Sequence, residues 1–425
     1  MAEIKEFKGL FYDSEIVGDI SSVVAPHCHS SEEETIKKYA SNHPFNIIRL
    51  EYPSVDEEKE QDKYSVATDT LNKWLDTGIL KYDDTPGIYI HNQKYTLFEE
   101  EKNISNIICR VKIDDGITKP HEDTSSAFYD DYKSDRYNLM NATGAVFNSI
   151  YAMYKDPEGE IAEIIASGDE LITEFADNLG TIHTLWKITD ADKINGLKEA
   201  FTEKQLVLAD GHIRYSVAEN YCKRIKQEAV EYSGEEPFNY VMMELAVLGD
   251  NLPDILPIHR IIKNKQEFDE KKIIEKLNEK FDFEKSYIRE CDAPKIKARL
   301  AESREKQAIG FYTGKDYYYI VTPKEKVMHL SDSEILHKLI LEPAFYITKD
   351  NAKAYLEYGT SIADCEKKVR EQEANCAFYL NPMKAEEIYE AAEEKKPVPK
   401  RTNAFYPKLM IGILINKFED KEEEK

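Results

Sequence analysis

The sequence predicts an α/β or α+β protein in which mixed sheets are surrounded by helices. Short apolar runs typical of buried strands alternate along the 425 residues with segments whose apolar residues recur at helical spacing. The hydrophobic content of 41% is that of a folded chain. At roughly 150 residues per domain, this length predicts two or three domains.

The formal net charge is −24, with 81 acidic and 57 basic residues. Nucleic-acid and anionic-membrane surfaces need clustered positive charge, so we expect neither partner. The N-terminal segment has no apolar stretch of the secretory kind, and the six cysteines form no C-x-x-C pair. These features predict a cytoplasmic protein with reduced thiols, and they give no indication of its oligomeric state.

Composition also predicts a division of the chain into regions. We expect a mixed α/β scaffold over 1–110, a central motif-bearing region over 111–264, an α/β region with a basic loop over 265–418, and a disordered acidic tail over 419–425. Local patterns further predict a strand at 46–50, a hairpin that turns at Asn92-Gln93, a strand at 239–248 and a helix over about 158–177.

The most informative stretch runs from 205 to 221. Four apolar residues at 206–209 indicate a buried strand, and Asp210-Gly211 ends it. Apolar residues at 213, 217, 221 and 225 then recur every fourth position, as on a helix. The pattern therefore predicts a strand, a tight turn and a helix.

This arrangement suits an anion. The first N–H groups of a helix have no partners inside it and carry the positive end of its dipole. Gly211 lets an anion approach the backbone, Arg214 offers a planar fork to two phosphate oxygens, and Asp210 can bind a metal or a hydroxyl proton. The alternative is an ordinary turn, with Asp210 as N-cap and Arg214 in a surface salt bridge.

Three further polar clusters are candidates for the same site, and each has an alternative. The segment 119–124 brings together His121, Glu122 and a hydroxyl, although a plain surface loop also explains it. His259 and Arg260 stand between aliphatic residues, so one of them faces a polar site unless the histidine is a satisfied core residue beside an edge arginine. The basic segment 395–408, with Lys400 and Lys408, suits a phosphate clamp or a solvated loop. A metal site at His27-Cys28-His29 is disfavoured, because adjacent ligands do not easily close one tetrahedron.

Seven short motifs in this order resemble an uncharacterised prokaryotic family, the domain of unknown function DUF1015. They are Phe7-Lys8-Gly9-Leu10, Val24-Ala25-Pro26, Lys119-Pro120-His121-Glu122-x-Thr124, Asp135-Arg136, Ala209-Asp210-Gly211-His212-x-Arg214-Tyr215, Leu256-Pro257-x-His259-Arg260 and Phe405-Tyr406-Pro407-Lys408. The likeness covers nearly the whole chain.

The central motif of that family, usually A-D-G-H-H-R-Y, is also similar to the nucleotide-binding box of the ParB, sulfiredoxin and free serine kinase superfamily. The resemblance implies a ParB/sulfiredoxin-like nucleotide-binding core that takes ATP or ADP with Mg²⁺. Gly211, His212 and Arg214 would contact phosphates, and Asp210 or Glu122 would bind magnesium or act as base. His121 would join the catalytic residues, and His259, Arg260, Lys400 and Lys408 the phosphate-binding ones.

The chain departs from the family pattern at two places. Ile213 stands where the second histidine is usual, and His27-Cys28-His29 replaces a usual Pro-Tyr-Asp. The leading hypothesis is a nucleotide-dependent phosphotransferase acting on a small hydroxyl metabolite, with free L-serine implied by the resemblance. The alternative is a nucleotide-sensing protein without chemistry. A sulfiredoxin-like repair activity ranks third, because no cysteine stands beside the motif histidine.

Overall fold

The computed structural model describes residues 2–28, 30, 32–55, 62–114, 117–119, 127–229, 231–249, 252–263, 266–287, 293–327, 330–396, 398 and 401–418, with backbone only at 127–131. The chain forms two compact units. The first comprises Met1–Pro253, Ile388–Lys396 and Pro407–Lys425, and the second Asp254–Glu387 and Pro397–Tyr406. The α/β organisation with mixed sheets agrees with the sequence, whereas the three-region division stays a prediction.

A mixed nine-stranded sheet is the centre of the first unit. Its strands follow the order Glu170–Ala176, Ile182–Ile188, Ile88–Leu97, Glu100–Lys112, Tyr240–Val247, Ile150–Tyr154, Leu206–Asp210 and Ile117–Thr118, and Ile4–Lys5 pairs with Glu100–Lys112. The strand Leu206–Asp210 is antiparallel to Ile150–Tyr154 and parallel to Ile117–Thr118. Short two-stranded pairs join Leu10–Tyr12 to Leu80–Tyr82, Ala25–Pro26 to Met410–Ile411, and Ala145–Val146 to Asn416–Lys417.

Helices cover both faces of this sheet. They are Ser14–Val17, Glu33–Asn42, Ile48–Glu51, Lys63–Asp76, Ala127–Thr143, Glu160–Ile164, Ala191–Thr202 and His212–Glu228, with 3₁₀ turns at Ile20–Ser22 and Pro237–Asn239. Neighbouring residues of one strand belong to different cores: Tyr89 packs in one cluster and Ile90 in another. This alternation follows from the period of two in a strand, and it puts a core on each face.

The second unit has a six-stranded sheet of its own. Its strands follow the order Phe281–Tyr287, Tyr317–Pro323, Ile309–Tyr312, Cys376–Tyr379, His259–Ile262 and Leu356–Gly359, and Asp254–Pro257 pairs separately with Asn403–Tyr406. Its helices are Glu270–Leu277, Ala293–Glu302, Asp332–Ile335, Ala352–Tyr355 and Ile362–Arg370, with a π-helix at Leu336–Phe345 and a 3₁₀ turn at Arg304–Lys306. The helix Ala385–Glu393 begins in the second unit, and its residues from Ile388 onward belong to the first. Along the described residues, no helix has the length and apolar character needed to cross a bilayer.

The strand predicted at 239–248 is confirmed as Tyr240–Val247, which is buried over most of its length. The strand predicted at 46–50 is wrong, because residues Ile48–Glu51 form a helical turn. Asn46 starts that turn by accepting the N–H of Ile48 at 3.1 Å, as a short polar side chain does at a helix start.

Two other local predictions are also wrong. The chain does not turn at Asn92-Gln93: the strand continues to Leu97, and the turn lies at Phe98 and Glu99, both with positive φ. The helix predicted over 158–177 is only Glu160–Ile164, and Glu170–Ala176 is a strand paired with Ile182–Ile188. In this second case pairing with a neighbouring strand overrides the local helical spacing.

Candidate functional site

The predicted strand, turn and helix are confirmed. The motif strand, Leu206–Asp210, buries its apolar residues completely at 206–208. Gly211 follows as the N-cap, with φ of 90° in the left-handed region that glycine adopts readily. The motif helix, His212–Glu228, then begins without a capping side chain. Its first N–H groups therefore lack a capping partner, which is the condition for an anion site.

Asp210 lies beside this helix start. Its carboxylate accepts the N–H of Gly211 at 2.7 Å, and solvent reaches the side chain. Surrounding protein atoms desolvate the carboxylate, which raises its pKa, but electrostatic attraction, chiefly to Arg214 and also to the nearby histidines at 27 and 212, outweighs this effect. The pKa of Asp210 therefore lies below its ordinary value, and the group is anionic at neutral pH. The alternative in which Asp210 caps the helix is wrong, because the N-cap is Gly211.

Arg214 is buried in the first turn, with 9% of its surface exposed. One end of its guanidinium, Nη1, donates to the carbonyl of Ser149 at 2.6 Å. The other end, Nη2, is buried without a hydrogen-bond partner among the residues the structure describes. The alternative of a surface salt bridge is therefore wrong. A buried guanidinium with an unused donor needs an acceptor, since leaving it unpaired is costly.

His212, at the first helical position, is in a similar state. Its Nε2 atom is buried and has no partner within the described part of the chain. His27 reaches the same region from the strand pair at Ala25–Pro26, and its Nδ1 lies 2.9 Å from Nδ2 of Asn148. No local pattern in the sequence marks Asn148 or Ser149 as site residues. They come to the site because the strand that begins at Ile150 pairs with the motif strand.

A second group of residues, the Arg136 cluster, consists of Arg136, Glu51, Asp135, Tyr52 and Tyr132. Nη1 of Arg136 donates to Glu51 at 2.7 Å and Nη2 to Asp135 at 2.5 Å. The guanidinium also lies over the rings of Tyr52 and Tyr132, at 4.7 and 5.5 Å from their centroids. Burial opposes the charge, but the two carboxylates raise the pKa of Arg136. Asp135-Arg136 is thus a satisfied ion-pair network.

The Arg136 cluster adjoins the helix start. Burial raises the pKa of Tyr132, while the charges of Arg136 and Arg214 lower it, which places this tyrosine within electrostatic range of both arginines. On the other side, the hydroxyl of Tyr52 donates to the carbonyl of Cys28, next to His27. The cluster therefore supports the segments that carry His27 and Arg214.

A family model described as protein of unknown function (DUF1015) matches residues 4–341. The chain belongs to this family. No curated protein has significant sequence similarity to it. The strand, glycine turn and helix start described above are thus the DUF1015 form of the central motif in this chain.

Solved structures are only weakly similar. A conserved hypothetical protein from Pyrococcus furiosus has a TM-score of 0.34 and 13% identity, over 72% of this chain and 93% of that chain. A free serine kinase in complex with AMP has a TM-score of 0.36 and 11% identity, over 72% and 92%. SbnI with a C-terminal truncation, from Staphylococcus aureus, has a TM-score of 0.32 and 9% identity, over 72% and 87%. Scores this low assign no function to this chain.

His259 and Arg260 of this DUF1015 chain lie in the second unit, on an interior strand of its sheet. Both are buried, with 1% exposure each. Nδ1 of His259 accepts the N–H of Leu380 at 3.2 Å, so this is the satisfied core histidine of the alternative. Burial and the charge of Arg260 lower the pKa of His259 to about 3.

Arg260 is not an edge arginine. Its donors go to Nε2 of His337 at 3.0 Å, to Oγ of Ser333 at 3.0 Å and to the carbonyl of Ile258 at 2.5 Å. These acceptors are all neutral, and burial followed by the charge of Arg401 lowers the pKa of Arg260 to about 10. The structure does not place these two residues in one unit with the motif helix, so their role in phosphate binding stays a prediction.

The remaining predicted residues are placed as follows. Lys408 is exposed, and its charge reaches the buried thiol of Cys28, whose pKa burial raises to about 12. His121, Glu122 and Lys400 lie outside the described residues. Within the residues described, no three metal-binding side chains converge. Asp210 offers an exposed carboxylate at the helix start, which suits Mg²⁺ that takes its other ligands from water and phosphate.

Proposed function

We propose that the first unit binds the phosphate groups of ATP or ADP at the start of the motif helix and transfers a phosphoryl group to the hydroxyl of a small metabolite. Free L-serine is the acceptor implied by the motif resemblance. The single observation that carries the proposal is the buried guanidinium of Arg214, whose Nη2 faces no acceptor among the described residues. A phosphate oxygen at the helix start would satisfy it.

The groups around the turn have two roles: some bind the charged phosphates, and others leave room for the phosphates to reach the backbone. The uncapped N–H groups of the motif helix and Arg214 would hold phosphate oxygens, and Gly211 leaves the backbone open to them. Asp210, with Glu122, would hold Mg²⁺, which neutralises charge on the phosphates when bound. In the transfer, the acceptor oxygen forms a bond to phosphorus, the bond from phosphorus to the nucleotide oxygen breaks, and the hydroxyl proton goes to a base.

The lowered pKa of Asp210 makes this carboxylate a weak proton acceptor and a good anionic ligand. The base would then be Glu122 or His121. The same observation favours the second candidate, a nucleotide-sensing protein that binds without turnover, because the described residues offer no strong base at the turn. A sulfiredoxin-like reaction is less well supported, since the buried thiol of Cys28 is protonated at neutral pH.

The test is thermal stabilisation by ATP, ADP, CTP and GTP, each with and without Mg²⁺. A nucleotide at about one hundred times its Kd should add about 2.7 kcal/mol to the free energy of unfolding. Arg214→Met should abolish most of that gain. Arg224→Met is the matched control, since Arg224 lies on the same helix and pairs with Glu228 three turns from the start.

A product assay with a panel of hydroxyl acceptors, serine among them, then separates the two candidates. Turnover that Glu122→Gln abolishes without loss of nucleotide binding would support the phosphotransferase. Binding without any product would support the sensor. If no nucleotide stabilises the protein, or if Arg214→Met binds as well as the unmodified chain, the phosphate site is wrongly assigned.

A further inference from the structure

Two hydrogen bonds hold His27 at the candidate site, one through its backbone and one through its ring. Its backbone N–H donates to the carbonyl of Leu409 at 2.8 Å, beside the paired strands Ala25–Pro26 and Met410–Ile411. Its ring is held through Nδ1, which lies 2.9 Å from Nδ2 of Asn148. The imidazole therefore has a defined position and orientation, which is a requirement for a binding residue.

Asn148 is itself an internal residue, with 2% of its surface exposed. The residues on either side of Asn148 both accept hydrogen bonds through their carbonyl groups. The carbonyl of Phe147 accepts the N–H of Gly412 at 3.0 Å, and the carbonyl of Ser149 accepts Nη1 of Arg214 at 2.6 Å. One short loop, 147–149, thus fixes His27 and Arg214 together.

The hydrogen bond to Asn148 determines which ring nitrogen carries the proton. With Nδ2 of Asn148 donating, Nδ1 of His27 accepts, and the proton of the neutral ring stands on Nε2. The ring then presents an N–H donor. His27 also lies close enough to Asp210 to lower the pKa of that carboxylate whenever its ring is protonated, as Arg214 does at all times. His27 and Arg214 therefore approach Asp210 from different segments, and each carries a donor.

We propose that His27 is a further phosphate-binding residue of this site, with its Nε2–H donating to a phosphate oxygen of the nucleotide, and that Asn148 positions its ring. This inference rests on the proposed function and names a residue that the motif helix does not supply. The loop 147–149 makes it specific: the side chain of Asn148 holds the imidazole of His27, and the carbonyl of the next residue holds the guanidinium of Arg214.

The test compares variants at both positions for nucleotide affinity, measured with the nucleotide that stabilises the unmodified chain best. His27→Leu should weaken binding about tenfold, as expected for one lost hydrogen bond to a charged group. His27→Gln, which keeps a donor near the position of Nε2, should recover most of the loss. Asn148→Ala should weaken binding less, and the double variant should bind no worse than His27→Leu alone, because Asn148 acts through His27.

Two controls keep the result interpretable. His43→Gln changes a partly buried histidine of the same unit whose recorded hydrogen bond is to the N–H of Phe45, and it should leave affinity unchanged. The ¹⁵N resonances of the His27 ring in the unmodified protein give a readout that needs no variant: nucleotide should shift Nε2 and leave Nδ1 in its acceptor state.

The outcomes separate the two proposals. If Arg214→Met loses affinity while His27→Leu binds like the unmodified chain and Nε2 does not shift, the role of His27 is wrong and the phosphate site stands. If Asn148→Ala and His27→Leu have additive effects, the positioning role of Asn148 is wrong. If the unmodified protein binds no nucleotide at all, the proposed function fails and this inference fails with it.

Discussion

Buried arginines of this protein differ in what balances their charge. Arg136 donates hydrogen bonds to two carboxylates. The hydrogen bonds that the structure describes for Arg214 and Arg260 go to neutral acceptors, although the charge of Arg214 also attracts the nearby carboxylate of Asp210. A buried charge is tolerated when it is paired, and an unpaired one points to a ligand or to a large desolvation cost. The charge balance of each guanidinium therefore distinguishes a structural arginine from a candidate binding arginine.

This distinction predicts different effects of two similar substitutions. Arg136→Met leaves Glu51 buried without its partner, so it should lower the free energy of unfolding by about 3–5 kcal/mol. Arg214→Met breaks a hydrogen bond to the carbonyl of Ser149 and leaves no hydrogen-bonded carboxylate unpaired among the described residues. It should therefore lower the free energy of unfolding by clearly less than Arg136→Met does. It should also remove nucleotide binding. Urea unfolding of both variants measures the difference. A double variant with Glu51→Gln and Arg136→Met should recover part of the loss, and strictly additive effects would contradict the ion-pair explanation.

The sequence could group Asp210, Gly211, His212 and Arg214 as one candidate site because they are adjacent and their local pattern has a physical meaning. It could not identify Asn148, because nothing in the neighbouring residues marks an asparagine that becomes important through a distant histidine. That contact spans 121 positions of the chain and depends on how the strands pair.

At the scale of secondary structure, the predictions held where the local pattern agrees with tertiary contacts. The motif helix has both an apolar repeat and a glycine turn, and the structure confirms both. The helix predicted over 158–177 failed because the strand Glu170–Ala176 gains a partner in Ile182–Ile188, and no local spacing encodes that partner. The strand predicted at 46–50 is wrong because Asn46 accepts the N–H of Ile48 and a helical turn follows in place of extended chain.

The turn before the motif helix predicts a measurable requirement for glycine. A Cβ at residue 211 would lie 3.0 Å from Nη2 of Arg214 and 3.2 Å from Cγ2 of Ile150, at a φ of +90°. Gly211→Ala should therefore cost stability through backbone strain and also displace the guanidinium. We expect a loss of roughly 2 kcal/mol or more in the free energy of unfolding, together with weaker nucleotide binding.

Gly180→Ala is the matched control for this element. Gly180 has a similar φ of +83°, but no described atom lies within 4 Å of its Cβ position. Its substitution should cost only the strain of the left-handed conformation, about 1 kcal/mol, and leave nucleotide binding unchanged. Equal effects of the two substitutions on nucleotide binding would show that Gly211 is needed only for its backbone conformation and not for the position of Arg214.

At the scale of the whole molecule, composition predicted an α/β chain of several domains, and the structure has two compact units with one sheet each. The unit boundary falls at Pro253 and Asp254, about ten residues before the composition changes at Lys263. The strands Asp254–Pro257 and His259–Ile262 belong to the second unit because their partners do, and partner choice is a non-local property. A change in composition shows where charged helices begin, whereas the boundary between the units depends on which strands pair with each other.

The second unit should lose stability in acid, because it buries neutral histidines around Arg260. Burial and the charge of Arg260 lower the pKa of His259 to about 3 and that of His337 to about 4. In the unfolded chain both titrate near 6.5, so below that pH the unfolded state binds more protons than the folded one. The stability that these residues contribute is complete above about pH 6.5 and falls as the pH decreases towards 4.

The expected size is up to about 2 kcal/mol for each histidine between pH 7 and pH 5. The variant with His259→Asn and His337→Gln keeps an acceptor for Leu380 N–H and for Arg260 Nε but does not titrate. Urea unfolding of the second unit at the two pH values should therefore show a smaller loss in the variant than in the unmodified chain. The buried acid Asp332, whose pKa burial raises to about 6, is present in both proteins and cancels in the comparison. Equal losses in the two proteins would mean that these histidines are protonated in the folded unit, and that Arg260 tolerates a second positive charge beside it.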